Sequence, residues 1–412
     1  MIFDPQDIDL VREHFPALTR TYNGRPIAYF DGPGGTQVPR QVLDAIETAY
    51  VERNANFDGA FSTSIDNTAA TQRVRESIAA FLGAESAQSI SFGANMTTLN
   101  YALSHAIART LKPGDELIVT ALDHEANRGP WLGLAAQGIV IREVAIGENG
   151  TLDYADFEEK LTPNTKCVAV GLASNSLGTV NDIKRIIASA KQVDALVVGD
   201  AVHYAAHFPV DTEELGIDFL LCSAYKFYGP HVGILYAKPG LLDSLETDRL
   251  STQKQHAPYR IDTGTLNYPA LAGVEAAVEF IGALGEGNGL RTKSHDAMNR
   301  IHGYEMQLAK RYWQGLKQFS WLDIHGPDIT STRTPTVSFS SPHYKPQEIA
   351  AHLAERAVQV WHGHFYAQRV LDSLGLSEKG GLVRVGLSMY NTELEVERLL
   401  TALEDFTRRR GG

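Results

Sequence analysis

Cysteine is nearly missing: Cys167 and Cys222 are the only two in 412 residues. Two thiols build no disulfide framework and, on their own, no zinc or iron–sulfur centre. Positive charge is also in short supply. Lys plus Arg number 37 against 49 Asp plus Glu, a formal net charge of −12, which removes any global electrostatic case for nucleic-acid binding. The basic tail Arg408-Arg409-Arg410 is short and reads as a solvated helix end. No apolar run approaches the length of a membrane span, so no membrane partner is expected. The opening MIFDPQDIDLVREHF carries early acids and no apolar centre, unlike a secretory leader. Low-complexity linkers and solenoid-period repeats are lacking too. What is present is ordinary globular composition, 43% hydrophobic and 21% charged, in a chain of a length that suits two or three domains. The expectation is a cytoplasmic enzyme.

Short apolar runs alternate with helical patterns. The runs are Ser89–Phe92, Glu116–Thr120, Cys167–Ala173, Ala195–Gly199 and Phe219–Cys222; helix-like stretches cover Thr97–Thr110, Ile183–Gln192 and Asp211–Leu215. This alternation predicts βα units and a mainly parallel sheet, whose buried strands read as continuous apolar segments. Further on, a long helical stretch from about Leu290 to Gln318 leads to a strand at Thr336–Ser340. Helix Pro346–Arg356, strands near Ala357–Trp361 and Leu382–Leu387, and a last helix from Thr392 follow. The Gly-rich stretch Gly282–Gly289 marks the expected boundary: a large α/β domain over residues 20–282, and a smaller α+β domain over 283–412 joined by 1–19.

In open α/β sheets, ligands bind beyond the carboxyl ends of the strands. Here those ends carry polar groups. Gly93-Ala94-Asn95-Met96-Thr97 opens a helix whose N–H groups suit a phosphate, although a plain N-cap gives the same pattern. His124 follows Asp123, and Asn175 lies in Ser174-Asn175-Ser176. Asp200 follows apolar residues and needs a cationic or proton-bearing partner if it enters the interior. Lys226 sits among apolar and aromatic neighbours, a setting that depresses a lysine pKa and suits Schiff-base formation. Each alone has a plainer explanation: a snorkelling Lys, an exposed His, a turn Asn. As a set they match the needs of pyridoxal phosphate: N–H donors for its phosphate, a stacking partner for its ring, an acid for its nitrogen and an amine for its aldehyde.

Two segments, Asp123-His124-Glu125-Ala126-Asn127-Arg128-Gly129-Pro130-Trp131 and Ser223-Ala224-Tyr225-Lys226-Phe227-Tyr228-Gly229-Pro230, resemble the class V aminotransferases, nearest to the cysteine desulfurase and selenocysteine lyase branch. The resemblance runs from Tyr29-Phe30-Asp31 to Met389-Tyr390-Asn391-Thr392. It implies the fold type I of pyridoxal 5'-phosphate enzymes, like aspartate aminotransferase. It also implies that Lys226 holds the cofactor as a Schiff base, Asp200 pairs with the ring nitrogen and His124 stacks on the ring. Asn175 and His203 would approach the ring hydroxyl, with His203 standing where the desulfurase pattern has Gln. Ala94, Asn95 and Ser223 match the phosphate site, where Thr is commoner than Asn95, and Tyr225 replaces the usual His. Thr265 matches a Thr that reaches the phosphate of a neighbouring subunit, which implies a homodimer. Arg384 matches the Arg that grips a substrate α-carboxylate.

The departures lie at the substrate end. Desulfurases place a nucleophilic Cys in a loop upstream of that Arg; here the loop reads Trp361-His362-Gly363-His364-Phe365-Tyr366-Ala367-Gln368, with Tyr366 at the Cys position. Cys167 and Cys222 fall on expected strands and read as core residues. Asn56-Phe57-Asp58-Gly59 stands in place of a His-Arg-Gly pattern, and Gly32-Pro33-Gly34-Gly35-Thr36 in place of an Ala-Thr-rich turn. The expected reaction is therefore C–S or C–Se cleavage of an amino acid by β-elimination without an enzyme persulfide, with Lys226 as base and Tyr366 or His364 as proton donor. Transamination or epimerisation on the same fold is the alternative, and a non-catalytic cofactor-binding protein the remaining one. A metal site at His362 and His364, two residues apart on one strand face, lacks a completing carboxylate or Cys.

Overall fold

A computed structural model describes residues 3–408. Its centre is a seven-stranded sheet in the order Ile90–Gly93, Gly233–Ala237, Phe219–Ser223, Leu196–Asp200, Thr165–Gly171, Glu116–Thr120, Val140–Val144. Gly233–Ala237 runs antiparallel to both of its neighbours, and the other pairings are parallel. Every residue of Glu116–Thr120, Phe219–Ser223 and Gly233–Ala237 is buried, as expected for a sheet with helices on both faces. The expected mainly parallel sheet is there, with two strands beyond the expected runs. Val140–Val144 is an edge strand, only partly buried and carrying Arg142 and Glu143. Gly233–Ala237 follows the turn after Lys226.

Helix starts are fixed by polar caps, which point the first N–H groups toward the strand ends. The Asn95 side chain accepts from the Thr98 N–H at 3.0 Å, and His124 Nδ1 from the Ala126 N–H at 3.0 Å. On one flank, helices Arg40–Glu52, Ser62–Leu82 and Tyr268–Ala283 pack together. Arg75 and Asp262 form a buried ion pair there at 2.5 Å, and Asp262 also accepts from the Phe92 N–H at 2.8 Å. The pair ties a helix to the edge of the sheet and to the segment leading to Thr265.

The 27-residue helix Leu290–Leu316 leads to a four-stranded antiparallel sheet in the order Asp323–His325, Thr336–Ser340, Leu382–Gly386, Trp361–Gly363. Helices Pro346–Ala354 and Glu393–Arg408 pack together beside it; Arg409 and Arg410 of the basic tail lie outside the described residues. The strand expected near Ala357–Trp361 is two strands. Val358–Gln359 pairs in parallel with Ala28–Tyr29, while Trp361–Gly363 joins the four-stranded sheet. The loop after Thr165–Gly171 meets the four-stranded sheet closely at Gly178. Its φ is +77° and a Cβ there would lie 2.4 Å from the Thr336 carbonyl oxygen, so only glycine fits. No helix among the described residues is long and apolar enough to cross a membrane.

Candidate active site

A cavity of ≈ 890 Å³ opens at the carboxyl ends of the parallel strands, closed on its far side by residues 361–366 and Arg384. Two strands end in a polar residue that lines the cavity, and the turn beyond one of them adds a third. Asp200 closes Leu196–Asp200, Ser223 closes Phe219–Ser223, and Lys226 follows on a 3-10 turn, Ala224–Lys226. The cavity brings together Asn95, His124, Asn175, Asp200, His203, Ser223, Tyr225, Lys226 and Arg384. Ala94 and Thr265 are not in its lining. Ala94 is exposed one residue ahead of the cap residue Asn95, and Thr265 is exposed in the run 263–265.

Burial dominates the electrostatics. Lys226 is desolvated and faces the charge of Arg384, and its pKa drops to about 7, with Asp200 and Asp31 opposing the fall. Its Nζ donates to the Pro33 carbonyl and lies 4.7 Å from the centre of the Tyr225 ring. Tyr225 in turn stacks on His231 at 4.6 Å. Burial raises Asp200 to about 6, although its carboxylate accepts from the Val202 N–H at 2.8 Å and feels the Lys226 charge. Burial lowers His124 to about 4, helped by Lys226 and Arg384, so its ring is neutral at pH 7.

His203 is also held neutral by burial, far below its ordinary range. Its Nε2 lies 3.1 and 3.0 Å from the hydroxyls of Thr334 and Thr336, and its Nδ1 is buried without a hydrogen-bond partner. Asn175 donates to the Phe365 carbonyl at 2.9 Å while its Oδ1 is buried and unpartnered. Arg384 donates to the Asn175 carbonyl at 3.1 Å and lies 4.2 Å above the Phe365 ring. Its Nε is unpartnered and burial lowers its pKa to about 9. A buried guanidinium without an ion pair is costly and suits an anionic ligand.

Three residues at the site escaped the sequence reading. Asp123, raised by burial to about 7, accepts from the Gly171 N–H at 2.8 Å and from the Asn127 amide at 3.2 Å. Asp31, raised by burial to about 6, feels the charges of Arg384 and Lys226, and its Oδ1 is unpartnered. Pro33 supplies the carbonyl for Lys226. Asp123 and Asp31 stand inside the motifs quoted for the resemblance, which was the available signal; nothing in the sequence singles out a proline carbonyl.

Residues 364–367 cover the cavity as a tight turn. Phe365 and Tyr366 both have positive φ, +52° and +56°, a conformation that costs free energy for residues with a side chain. Contacts hold it: the Glu125 N–H donates to the Tyr366 carbonyl at 2.7 Å, and the Tyr366 ring stacks on His124 at 5.5 Å. His362 and His364 do not share a strand face, because the strand ends at Gly363, whose φ of +113° turns the chain before His364. Among the described residues no group of His, Cys, Asp and Glu is arranged to hold a metal ion.

The model of the class V aminotransferase family matches residues 28–399. A cysteine desulfurase of Pectobacterium carotovorum is 31% identical over 96% of this chain and 97% of its own. A probable cysteine desulfurase of Synechocystis is 31% identical over 96% and 94%. Among solved structures, a cysteine desulfurase of Thermococcus onnurineus, in its apo form, superposes with a TM-score of 0.88 at 26% identity, covering 99% of this chain and 100% of the other. An S-sulfonic acid form of an Escherichia coli cysteine desulfurase gives 0.86 at 25% identity, covering 99% of both. With this agreement of sequence and fold over nearly its whole length, the chain belongs to the class V aminotransferases, a family of pyridoxal-phosphate-dependent enzymes with the fold type I architecture.

Proposed function

We propose that the protein cleaves the C–S (or C–Se) bond of a cysteine-type amino acid by β-elimination, without carrying sulfur on a thiol of its own. The observation that carries this reading is the pairing of a buried, readily deprotonated Lys226 with a covering turn that presents Tyr366 instead of a thiol. Cys167 and Cys222 are both buried in sheet strands, and burial pushes both thiols up, which disfavours the thiolate that sulfur transfer needs.

The residues present fit pyridoxal phosphate. The start of helix Met96–Ala108 and the Ser223 hydroxyl, which accepts from the Met96 N–H at 3.2 Å, suit a phosphate. Asp200 suits the ring nitrogen, the unpartnered Asn175 Oδ1 and His203 Nδ1 suit a ring hydroxyl, and His124 supplies a flat neutral face. Bound there, the cofactor supplies an electron sink for the charge left at the substrate Cα. Asp200 keeps a proton on the ring nitrogen. Arg384 holds the α-carboxylate as a bidentate pair. Lys226, whose pKa burial and the Arg384 charge bring down to about 7, takes the α proton onto Nζ, with the Pro33 carbonyl orienting that nitrogen. The hydroxyl of Tyr366 or the ring of His364 gives a proton to the departing sulfur. From cysteine and one water the products are pyruvate, ammonia and hydrogen sulfide. Thr265 belongs to this reading through a second copy of the chain, each copy extending it toward the other's phosphate site.

The test is product analysis on the holoenzyme of C167A/C222A. Pyruvate and sulfide in equal amounts, at a rate within about twofold of the parent, support the reading. A keto acid that keeps its sulfur, or an inverted amino acid, replaces it with transamination or epimerisation. Loss of sulfide release with the cofactor spectrum intact assigns the step to a cysteine.

A further inference from the structure

Resting on the β-elimination reading, we infer that the preferred substrate is a cysteine S-conjugate, an amino acid whose sulfur carries a flat aromatic group, and that Trp361 determines that preference. Tyr101, Trp361 and Tyr366 line one cavity, and each leaves a large aromatic surface open, at 45%, 51% and 66% exposure. Exposed aromatics gathered at one cavity are a recognition surface.

Trp361 is placed to meet the side chain of a bound amino acid. It stands directly opposite Arg384 in the antiparallel pair Trp361–Gly363 with Leu382–Gly386, and directly opposed residues project from the same face. Its indole packs so closely on Gly34 that a Cβ there would fall 2.7 Å from Nε1. Gly34 follows Pro33, whose carbonyl holds Lys226. The indole thus packs on the segment that holds the base, on a strand beside the carboxylate anchor, and the Phe365 ring lies 4.2 Å beneath the guanidinium of that anchor. The acids of the lining are the inner Asp123 and Asp200 and, at the covering turn, Glu125.

The step balances. The α proton moves to Lys226 Nζ, the Cβ–S bond breaks with its electron pair on sulfur, and the arenethiolate takes a proton from Tyr366 or water. One water converts the remaining three-carbon fragment to pyruvate and ammonia. An arenethiolate is a better leaving group than sulfide, so the chemistry and the wall favour the same substrate.

The experiment compares S-phenyl-L-cysteine with L-cysteine on the holoenzyme, reading thiol, sulfide and pyruvate. The expected kcat/KM is about tenfold or more higher for the conjugate, and W361A lowers that ratio by about tenfold, the scale on which apolar pockets discriminate. Binding alone gives a second readout: S-phenyl-L-cysteine added to cofactor-loaded K226A changes tryptophan fluorescence, and K226A/W361F loses that change. Equal or greater kcat/KM for cysteine overturns the inference and leaves β-elimination standing. Pyruvate from neither substrate overturns β-elimination itself. A W361A variant that changes oligomeric mass but not the ratio makes this face a subunit contact and overturns the inference as well.

Discussion

Lys226 and Arg384 share one cavity, Lys226 feels the Arg384 charge, and burial penalises both. That arrangement makes the neutral amine far more accessible than in an ordinary lysine. The uncharged amine is the reactive form, and the pKa is about 7. Uptake of pyridoxal phosphate by the apoprotein should therefore quicken about tenfold per pH unit below 7 and level off above it. Stopped-flow absorbance measures this, and a rate still climbing at pH 9 would mean an ordinary lysine. Tyr366 belongs to the same scale. Y366F should lower kcat for β-elimination by about a hundredfold with the cofactor spectrum unchanged; full turnover removes the hydroxyl from the mechanism. The polar residues at strand ends were legible because a buried parallel strand leaves only its carboxyl end free for chemistry. The Pro33 carbonyl was not, since long-range folding alone brings it to Lys226.

At the scale of elements, the covering turn is held by an ion network. Glu143, on the edge strand, binds Arg128 of the helix that His124 caps. It also binds Arg369, in the helix after Tyr366, at 2.6 and 2.9 Å. The two guanidiniums outweigh burial and hold the Glu143 carboxyl below its ordinary range. Replacing Arg369 with Gln should speed hydrogen exchange of amides 364–367 by about threefold, because a partly exposed pair contributes modestly. R185Q, which breaks a surface pair with Glu158, should leave those amides alone. The buried pair is a different case. Asp262→Ala strands Arg75 without its counter-charge and should cost about 3–5 kcal/mol in urea unfolding; a loss under 1 kcal/mol contradicts that account. Central strands were legible as unbroken apolar runs. The edge strand Val140–Val144 was not, because its Arg142 and Glu143 interrupt the run, and they do so to build these ion pairs.

For the whole molecule, several backbone pairings join segments far apart in sequence. Ala28–Tyr29 pairs with Val358–Gln359, Asp31 bridges to Gly386, and Thr179 bridges to Arg333. These pairings hold residues 28–31 beside the smaller sheet, and no composition signal reports them. Thr265 extends the proposal to a second copy: light scattering should give twice the chain mass of 45.1 kDa, and a monomer that retains full cofactor affinity contradicts the shared site. The central claim is that Lys226 holds pyridoxal phosphate and works on a cysteine-type amino acid. It is tested most directly by the visible absorption spectrum of the holoenzyme as L-cysteine is added, alongside K226A. The account predicts a band that shifts with cysteine in the parent and is missing from the variant. A protein that stays colourless with added pyridoxal phosphate, or a K226A spectrum that matches the parent, would contradict it.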